Sequence, residues 1–212
     1  MTLPQIQPLL LRRRNDALWI TLNRPESGNP IGQRLADELN SIFATIPTDR
    51  TIRAVLIDAA GADFCVGLDK EELQSVLAGS TQKTDPLTAI GHSIGAALRA
   101  VSQCAIPVVT VCQGTIASGG LGLACVADHT LLVADAKIQL NDGLHGVSSS
   151  FLAPFLVHRI DQSNENRLVR NREEIGAPEA VGLGIGQEIV PDIYRGLERV
   201  DEILNQIKNR DP

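Results

Sequence analysis

The chain has 212 residues, of which 43% are hydrophobic and 21% charged, so it is long enough for one globular domain and unlike a disordered chain. A formal net charge of −6 gives no basic footprint for nucleic acid, and no apolar run reaches membrane-spanning length. Neither nucleic acid nor a membrane is therefore an expected partner.

The first elements predicted are a β-hairpin, a helix and a buried strand. Residues Pro8 to Leu22 carry two apolar runs around Asn15 and Asp16, which is typical of a hairpin. A helix is predicted from Gly32, with apolar residues spaced to form one face. The run IRAVLI, from Ile52 to Ile57, predicts a strand buried on both sides.

A turn rich in small residues follows that strand. Gly61 and Gly67 bracket it, and Asp69 begins a polar helical run. A strand that passes through such a turn into a helix exposes backbone N–H groups, which can bind an anion or an oxyanion. Loop composition follows from Leu77 to Asp85, and a helix is predicted from Pro86 to near Cys104.

The predicted strands and the glycine-rich turn between residues 106 and 150 form the part around which the chain is organised. Val108 to Cys112 is a predicted buried strand, and Gly119 to Cys125 a helix whose first amides point into a pocket. Short strands are predicted from His129 to Val133 and from Lys137 to Leu140. Asp142 then leaves the second strand as an isolated carboxylate.

Shorter helices and one strand complete the predicted pattern, which is that of an α/β fold with helices packed on sheets. Residues 1–190 are predicted to form the core and 191–212 a short helical tail. The remaining predicted elements are helices over Ser150–Ile160, Gln162–Arg170, Ala177–Leu183 and Leu197–Ile207, and a strand over Gln187–Val190.

The four cysteines, Cys65, Cys104, Cys112 and Cys125, contain no C-x-x-C pair, so neither a zinc site nor any other metal site is expected. We interpret them as small core residues in a reducing cytoplasm. The sequence lacks a P-loop and a dinucleotide-binding glycine motif, so no separate cofactor is expected.

Four blocks, in order, resemble the crotonase (enoyl-CoA hydratase/isomerase) superfamily between about Leu18 and Val190. They are LWITLNRPESGNPIGQRLADEL, IRAVLIDAAGADFCVGLDKEEL, IPVVTVCQGTIASGGLGLACVADHTLLVADAKIQL and APEAVGLGIGQEIV. The resemblance implies a crotonase-like spiral of ββα units, assembled as homotrimers or hexamers. It also implies an acyl thioester as substrate, with CoA or carrier-protein phosphopantetheine as part of that substrate.

The chemistry that the resemblance implies is stabilisation of a thioester enolate by two backbone N–H groups. These fall on Val66 and Gly119, and the neighbouring Gly67, Leu68, Gly120 and Gly122 are the substrate-binding residues expected. Preorganised donors of this kind are each worth roughly 10²–10³ in rate. The alternative for Gly119 is a packing glycine.

Side chains select the reaction. Hydratases of this family use two glutamates, and the corresponding positions here are Gly122 and Asp142. The retained carboxylate matches the single acid/base of the Δ3,Δ2-enoyl-CoA isomerases, because one group can move a proton from one carbon to another. We therefore predict an isomerase that uses Asp142, with a turn or capping role as the alternative for this residue.

Two further features leave alternatives open. His145 is either an auxiliary acid/base or a histidine outside the site. Only 22 residues follow Val190, fewer than in most family members, which predicts a shortened C-terminal helical region. Alternative functions are a non-catalytic helper subunit of a biosynthetic enzyme, a C–C bond hydrolase or decarboxylase, and a dehalogenase with its aspartate near Ser150.

Overall fold

The structure is a computed structural model that describes residues 8–79, 86–140, 152–157, 159–161, 163–164, 167–168 and 173–208. No helix in these ranges is both long and apolar enough to cross a membrane.

The described strands and helices alternate along most of the chain. The strands are β1 Leu9–Arg14, β2 Ala17–Leu22, β3 Ala54–Ala59, β4 Val108–Cys112, β5 Thr115–Ala117, β6 His129–Val133, β7 Lys137–Gln139, β8 Glu174–Gly176 and β9 Glu188–Val190. The helices are α1 Gln33–Thr45, α2 Lys70–Gly79, α3 Pro86–Ser102, α4 Gly119–Val126, α5 Ala153–Leu156, α6 Ala177–Gly182 and α7 Ile193–Lys208.

Six strands form the main sheet in the order β1-β2-β3-β4-β6-β9. The β1–β2 hairpin is antiparallel, and its turn residue Asn15 adopts a left-handed backbone conformation with φ 56°. Every other neighbouring pair is parallel. A second sheet of three strands, in the order β5-β7-β8, lies beside the end of β4.

The main sheet buries an apolar layer on each of its faces. On the inner face, Val55 and Ile57 of β3 share one core with buried residues of α1, α3 and α4. On the outer face, Leu56 of β3 and Trp19 of β2 pack in a second core with Val200 of α7. The alternation of Val55, Leu56 and Ile57 between the two cores explains why β3 is a continuous apolar run.

The predicted α/β architecture and the buried parallel strands are confirmed. The hairpin, the strand at Val108–Cys112 and the helix that begins at Gly119 lie where the sequence placed them. The prediction for β3 was displaced by two residues, because Asp58 is a buried strand residue despite its charge.

Two further predictions were wrong in detail. Helix α7 begins at Ile193, four residues before the predicted start, because the Asp192 carboxylate accepts a hydrogen bond from the Arg195 N–H at 2.9 Å. The three-residue strands β5 and β8 were not predicted, since a run of three residues carries no periodic signal.

Candidate active site

Two turns meet beside β5, and together they form the candidate site. The first is the segment from Gly61 to Asp69 after β3, and the second runs from Ser118 to Gly120 after β5. Cys65 joins the first turn to β5, because its N–H donates to Thr115 O at 3.0 Å and its carbonyl accepts from Ala117 N at 2.8 Å. The two segments predicted to bind a substrate are therefore neighbours in space.

Gly67 faces the second turn closely. Its φ is 109°, a conformation that favours glycine, and a Cβ atom at this position would lie 3.5 Å from Ser118 Cβ. That distance is an ordinary van der Waals contact, so the φ value is what favours glycine here. Gly67 thus contributes to the site by its absence of a side chain.

The loop after β2 anchors the first turn through Asn29, which is fully buried. Its Nδ2 donates to Ala60 O and to Asp63 O, both at 2.8 Å, while its Oδ1 accepts from the Arg24 N–H at 2.7 Å. Three backbone segments are held by one amide side chain. Buried polar groups that are fully bonded in this way rigidify the structure around them.

Asp69 ends the first turn and begins α2. Its Oδ1 accepts hydrogen bonds from the N–H groups of Glu71 at 3.1 Å and Glu72 at 3.0 Å, which caps the helix. Its Oδ2 forms an ion pair with Arg24. The turn is therefore fixed at both of its ends.

The direction of the Leu68 N–H follows from the bonds of its own peptide group. The Gly67 carbonyl accepts from the Ile31 N–H at 2.8 Å. Because a trans peptide is planar, with its C=O and N–H pointing in opposite directions, the Leu68 N–H points away from Ile31 N. Among the hydrogen bonds of the described chain, this N–H has no acceptor.

Val66 was predicted to supply one donor of the oxyanion hole, and the structure does not support that position. The Val66 N–H donates to Gly28 O at 2.9 Å and is already used within the fold. Leu68, predicted only as a substrate-binding residue, has the N–H group that remains available. The N–H group without an acceptor therefore lies two residues later in the turn than the predicted donor.

The second available N–H is that of Gly119, at the start of α4. The Ser118 carbonyl accepts from the Gly122 N–H at 3.0 Å, so the Gly119 N–H of the same peptide points the opposite way. No acceptor for it lies among the described bonds. Ser118 itself has φ 48° and ψ −119°, a strained conformation for a residue with a side chain.

Ile31 connects the two candidate donors. It pairs with Leu68 in an isolated bridge, and a Cβ atom on Gly119 would lie only 2.6 Å from its Cγ2. Packing therefore favours glycine at position 119, as the packing interpretation expected, while its role as a donor stays a prediction. Sequence reasoning missed Ile31, because nothing in its local pattern distinguishes it from other core isoleucines.

The predicted site residue Gly122 lies among leucines. A Cβ atom at Gly122 would lie 2.7 Å from Leu98 Cδ1 and 3.0 Å from Leu152 Cδ2, and the glycine is buried. The space next to this helix position is filled by hydrocarbon. A carboxylate there would lie in an apolar environment with no polar partner among these neighbours.

The buried cysteines are thiols in the core. Burial raises the pKa of Cys65 to about 11 and that of Cys125 to about 12, and it also raises the pKa of Cys112. All three stay protonated at neutral pH and are poor nucleophiles. Their interpretation as core residues is confirmed by their burial.

The predicted acid/base Asp142 and the neighbouring His145 lie outside the described residues, as does Ser150. Their roles stay predictions. Within the described ranges, no group of three or more His, Cys, Asp or Glu side chains could hold a metal ion.

Comparisons with known proteins agree on one family. The sequence profile of the enoyl-CoA hydratase/isomerase family matches residues 12–210. A "Probable enoyl-CoA hydratase" of Mycobacterium leprae is 30% identical over 186 residues, which cover 84% of this chain and 62% of the relative. The chain thus spans less than two thirds of that relative's length.

Two more comparisons cover nearly the whole chain. The human mitochondrial Delta(3,5)-Delta(2,4)-dienoyl-CoA isomerase is 24% identical over 204 residues, which are 92% of this chain and 62% of the isomerase. The crystal structure of an enoyl-CoA hydratase/isomerase from Marinobacter aquaeolei superposes with a TM-score of 0.89 at 29% identity. That superposition covers 94% of this chain and 76% of the other.

Proposed function

Because this chain belongs to the enoyl-CoA hydratase/isomerase family of the crotonase superfamily, we propose that it forms an enolate from an acyl thioester and isomerises an enoyl double bond. The substrate proposed is an acyl group on CoA or on a carrier protein. The N–H groups of Leu68 and Gly119 bind the thioester oxygen, in place of the pair Val66 and Gly119 that the sequence suggested.

The donors support this proposal through their fixed directions. Each donor belongs to a peptide whose carbonyl accepts a hydrogen bond from another N–H. The Gly67 carbonyl accepts from the Ile31 N–H, and the Ser118 carbonyl accepts from the Gly122 N–H. Donors held in place before the reaction need no reorganisation as negative charge develops on the oxygen. The N-terminus of α4 adds the partial positive charge of its unpaired amides beside Gly119.

The observation that supports isomerisation over hydration is the apolar surrounding of Gly122. A Cβ atom at this position would already lie 2.7 Å from Leu98 and 3.0 Å from Leu152, and neither leucine could bind a second carboxylate or a water. Activation of a water by two carboxylates has no counterpart there. A double-bond shift needs only one proton carrier.

The proposed reaction uses Asp142 as that carrier. The carboxylate removes a proton from C2 of a 3-enoyl thioester, and the electrons pass into a dienolate whose oxygen is bound by the two N–H groups. The same carboxyl, whose proton can exchange with solvent, then delivers a proton to C4, which leaves the 2-enoyl thioester and restores the carboxylate. No atom is gained or lost.

The test compares the wild type with Asp142→Asn, each incubated with 3-hexenoyl-CoA in deuterated water. We expect the wild type to form 2-hexenoyl-CoA with deuterium in the chain, and the variant to lose turnover by about 10³-fold or more. Mass spectrometry and ultraviolet absorbance report the product. Unchanged turnover in the variant would remove Asp142 from the mechanism, and 3-hydroxyhexanoyl-CoA as the main product would identify a hydratase.

A further inference from the structure

Cys65 is fully buried at the junction of the two turns, and its sulfur lies between atoms of both. The thiol donates toward Gly67 O, with a sulfur–oxygen distance of 3.8 Å. On the other side, a Cβ atom built on Gly120 would lie 3.0 Å from the sulfur and 2.5 Å from Cys65 Cβ.

These two contacts involve the peptides next to the proposed donors. Gly67 O and the Leu68 N–H belong to one planar peptide, so a bond to the carbonyl fixes the direction of the N–H. Gly120 follows Gly119 directly, so the close packing of Cys65 against Gly120 restrains the peptide that comes after the second donor. One side chain thus acts on both turns.

We propose that Cys65 is a positioning residue, whose thiol bonds to the Gly67 carbonyl and packs against Gly120, and so fixes the Leu68 and Gly119 N–H groups relative to each other. This inference depends on the proposed function, because the relative orientation of the Leu68 and Gly119 N–H groups matters only if both bind the thioester oxygen. Cys65 does not touch the substrate in this scheme. It acts only through the two turns.

The protonation state of the thiol suits this role. Burial raises the pKa of Cys65 to about 11, so at neutral pH the group keeps its hydrogen and can donate to Gly67 O. A thiol is a weak donor, but inside a closed core no water competes for its bond to Gly67 O.

A matched control is offered by Cys112 on β4, which is equally buried but is not bonded to either turn in the described structure. Cys65→Ala and Cys112→Ala delete the same atom from the same core. Any general effect of a small cavity appears in both variants. An effect on the donors appears only in the first.

The experiment uses isotope-edited infrared spectroscopy of butyryl-CoA labelled at the thioester carbonyl and bound to each variant. In the wild type we expect the carbonyl band to shift to lower frequency, as an oxyanion hole polarises the bond. In Cys65→Ala the band should return about halfway to its free position, while Cys65→Ser and Cys112→Ala keep most of the shift. Turnover should follow, with kcat about tenfold lower in Cys65→Ala and KM within about twofold.

The outcomes separate this inference from the proposed function. If the wild type shifts the band and Cys65→Ala shifts it equally, the positioning role is overturned and the thioester chemistry stands. If the wild type itself neither binds butyryl-CoA nor shifts its band, the proposed function fails and the role of Cys65 fails with it. Equal loss in Cys65→Ala and Cys112→Ala would show a packing effect only and would also overturn the inference.

Discussion

The proposed choice of isomerisation over hydration depends on Gly122. A longer side chain here would displace the methyl groups of Leu98 and Leu152, and neither leucine offers a hydrogen bond. A glutamate at this position would bury a carboxylate with no polar partner among these neighbours. On the proposed function, this single substitution should not create a hydratase.

We expect Gly122→Glu to lower the free energy of unfolding by about 3–5 kcal/mol, because an uncompensated buried charge is strongly destabilising. It should also give no hydration of 2-hexenoyl-CoA. Urea unfolding followed by circular dichroism measures the first effect, and product analysis measures the second.

The control is Gly182→Glu in α6, where a Cβ atom meets nothing within 4 Å. Its effect on stability should stay within about 0.5 kcal/mol. A stable Gly122→Glu variant that hydrates its substrate would contradict our account of this position.

At the level of the single residue, the sequence could indicate the two turns but not which N–H of the first turn is left without an acceptor in the described structure. Val66 and Leu68 are both apolar residues beside Gly67. Which of their N–H groups is free depends on Gly28 and Ile31, and this pairing is decided by the folded path of the loop after β2. The position of Cys65 between Gly67 and Gly120 likewise follows only from the folded structure.

Helix α7 is attached to the main sheet by a charged cluster as well as by its apolar face. Glu188 of β9 accepts from Arg199 of α7 through Nε at 2.8 Å and Nη2 at 2.9 Å. Nε2 of His129 in β6 lies 3.2 Å from Oε1 of the same carboxylate. Two-pronged pairs of this type are the stronger form of surface ion pair.

We expect Glu188→Gln to reduce the free energy of unfolding by about 1 kcal/mol at pH 7. The Arg199 guanidinium lowers the pKa of Glu188 below its usual value of 4.5. A depressed folded-state pKa stabilises the protein above the unfolded value and loses that effect as pH falls through the folded value. The difference between wild type and variant should therefore be constant above about pH 5 and shrink below 4.5.

Thermal unfolding at a series of pH values measures this difference. Glu202→Gln is the matched control, because Glu202 pairs with the same Arg199 at 2.7 Å but is far more exposed. It should change stability by less than Glu188→Gln at every pH. A Glu188→Gln deficit that persists unchanged at pH 3 would show that the loss does not come from the charge.

The sequence predicted helices and strands well where the apolar pattern extended over many residues. It predicted them poorly where a capping residue sets the start of a helix or a partner strand is needed to form a strand. The apolar face of α1 and the run in β4 were sufficient by themselves. The start of α7 depended on the side chain of Asp192, and β5 exists because β7 pairs with it in register from Thr115 to Ala117. Such contacts are between residues that no local pattern links.

In the whole molecule, the main sheet separates the candidate site from the C-terminal helix. Gly119 and Gly122 contact Ile94 and Leu98 of the inner core, while Val200 of α7 belongs to the outer core. A cavity in the inner core should therefore alter the candidate site, whereas an equal cavity in the outer core should not.

We expect Val200→Ala to cost about 2 kcal/mol of stability with kcat and KM unchanged within about twofold. Leu98→Ala should cost about 3 kcal/mol and change kcat/KM for 3-hexenoyl-CoA by about fivefold or more, since it opens a cavity beside Gly122. Urea unfolding and steady-state kinetics on the two purified variants provide the measurement. Equal kinetic effects from both substitutions would show that the layers are not independent.

Both proposed donors are main-chain groups, and this has a consequence for how the site is inherited. A substitution at Leu68 replaces the side chain and leaves the N–H in place, so that position can drift without altering the chemistry. The residues whose side chains should stay fixed are those proposed to orient the peptides. They are Gly67, which has φ 109°, Cys65, whose thiol bonds to Gly67 O, and Ile31, whose side chain packs against Gly119. A search for proteins that share this site should therefore compare these three positions.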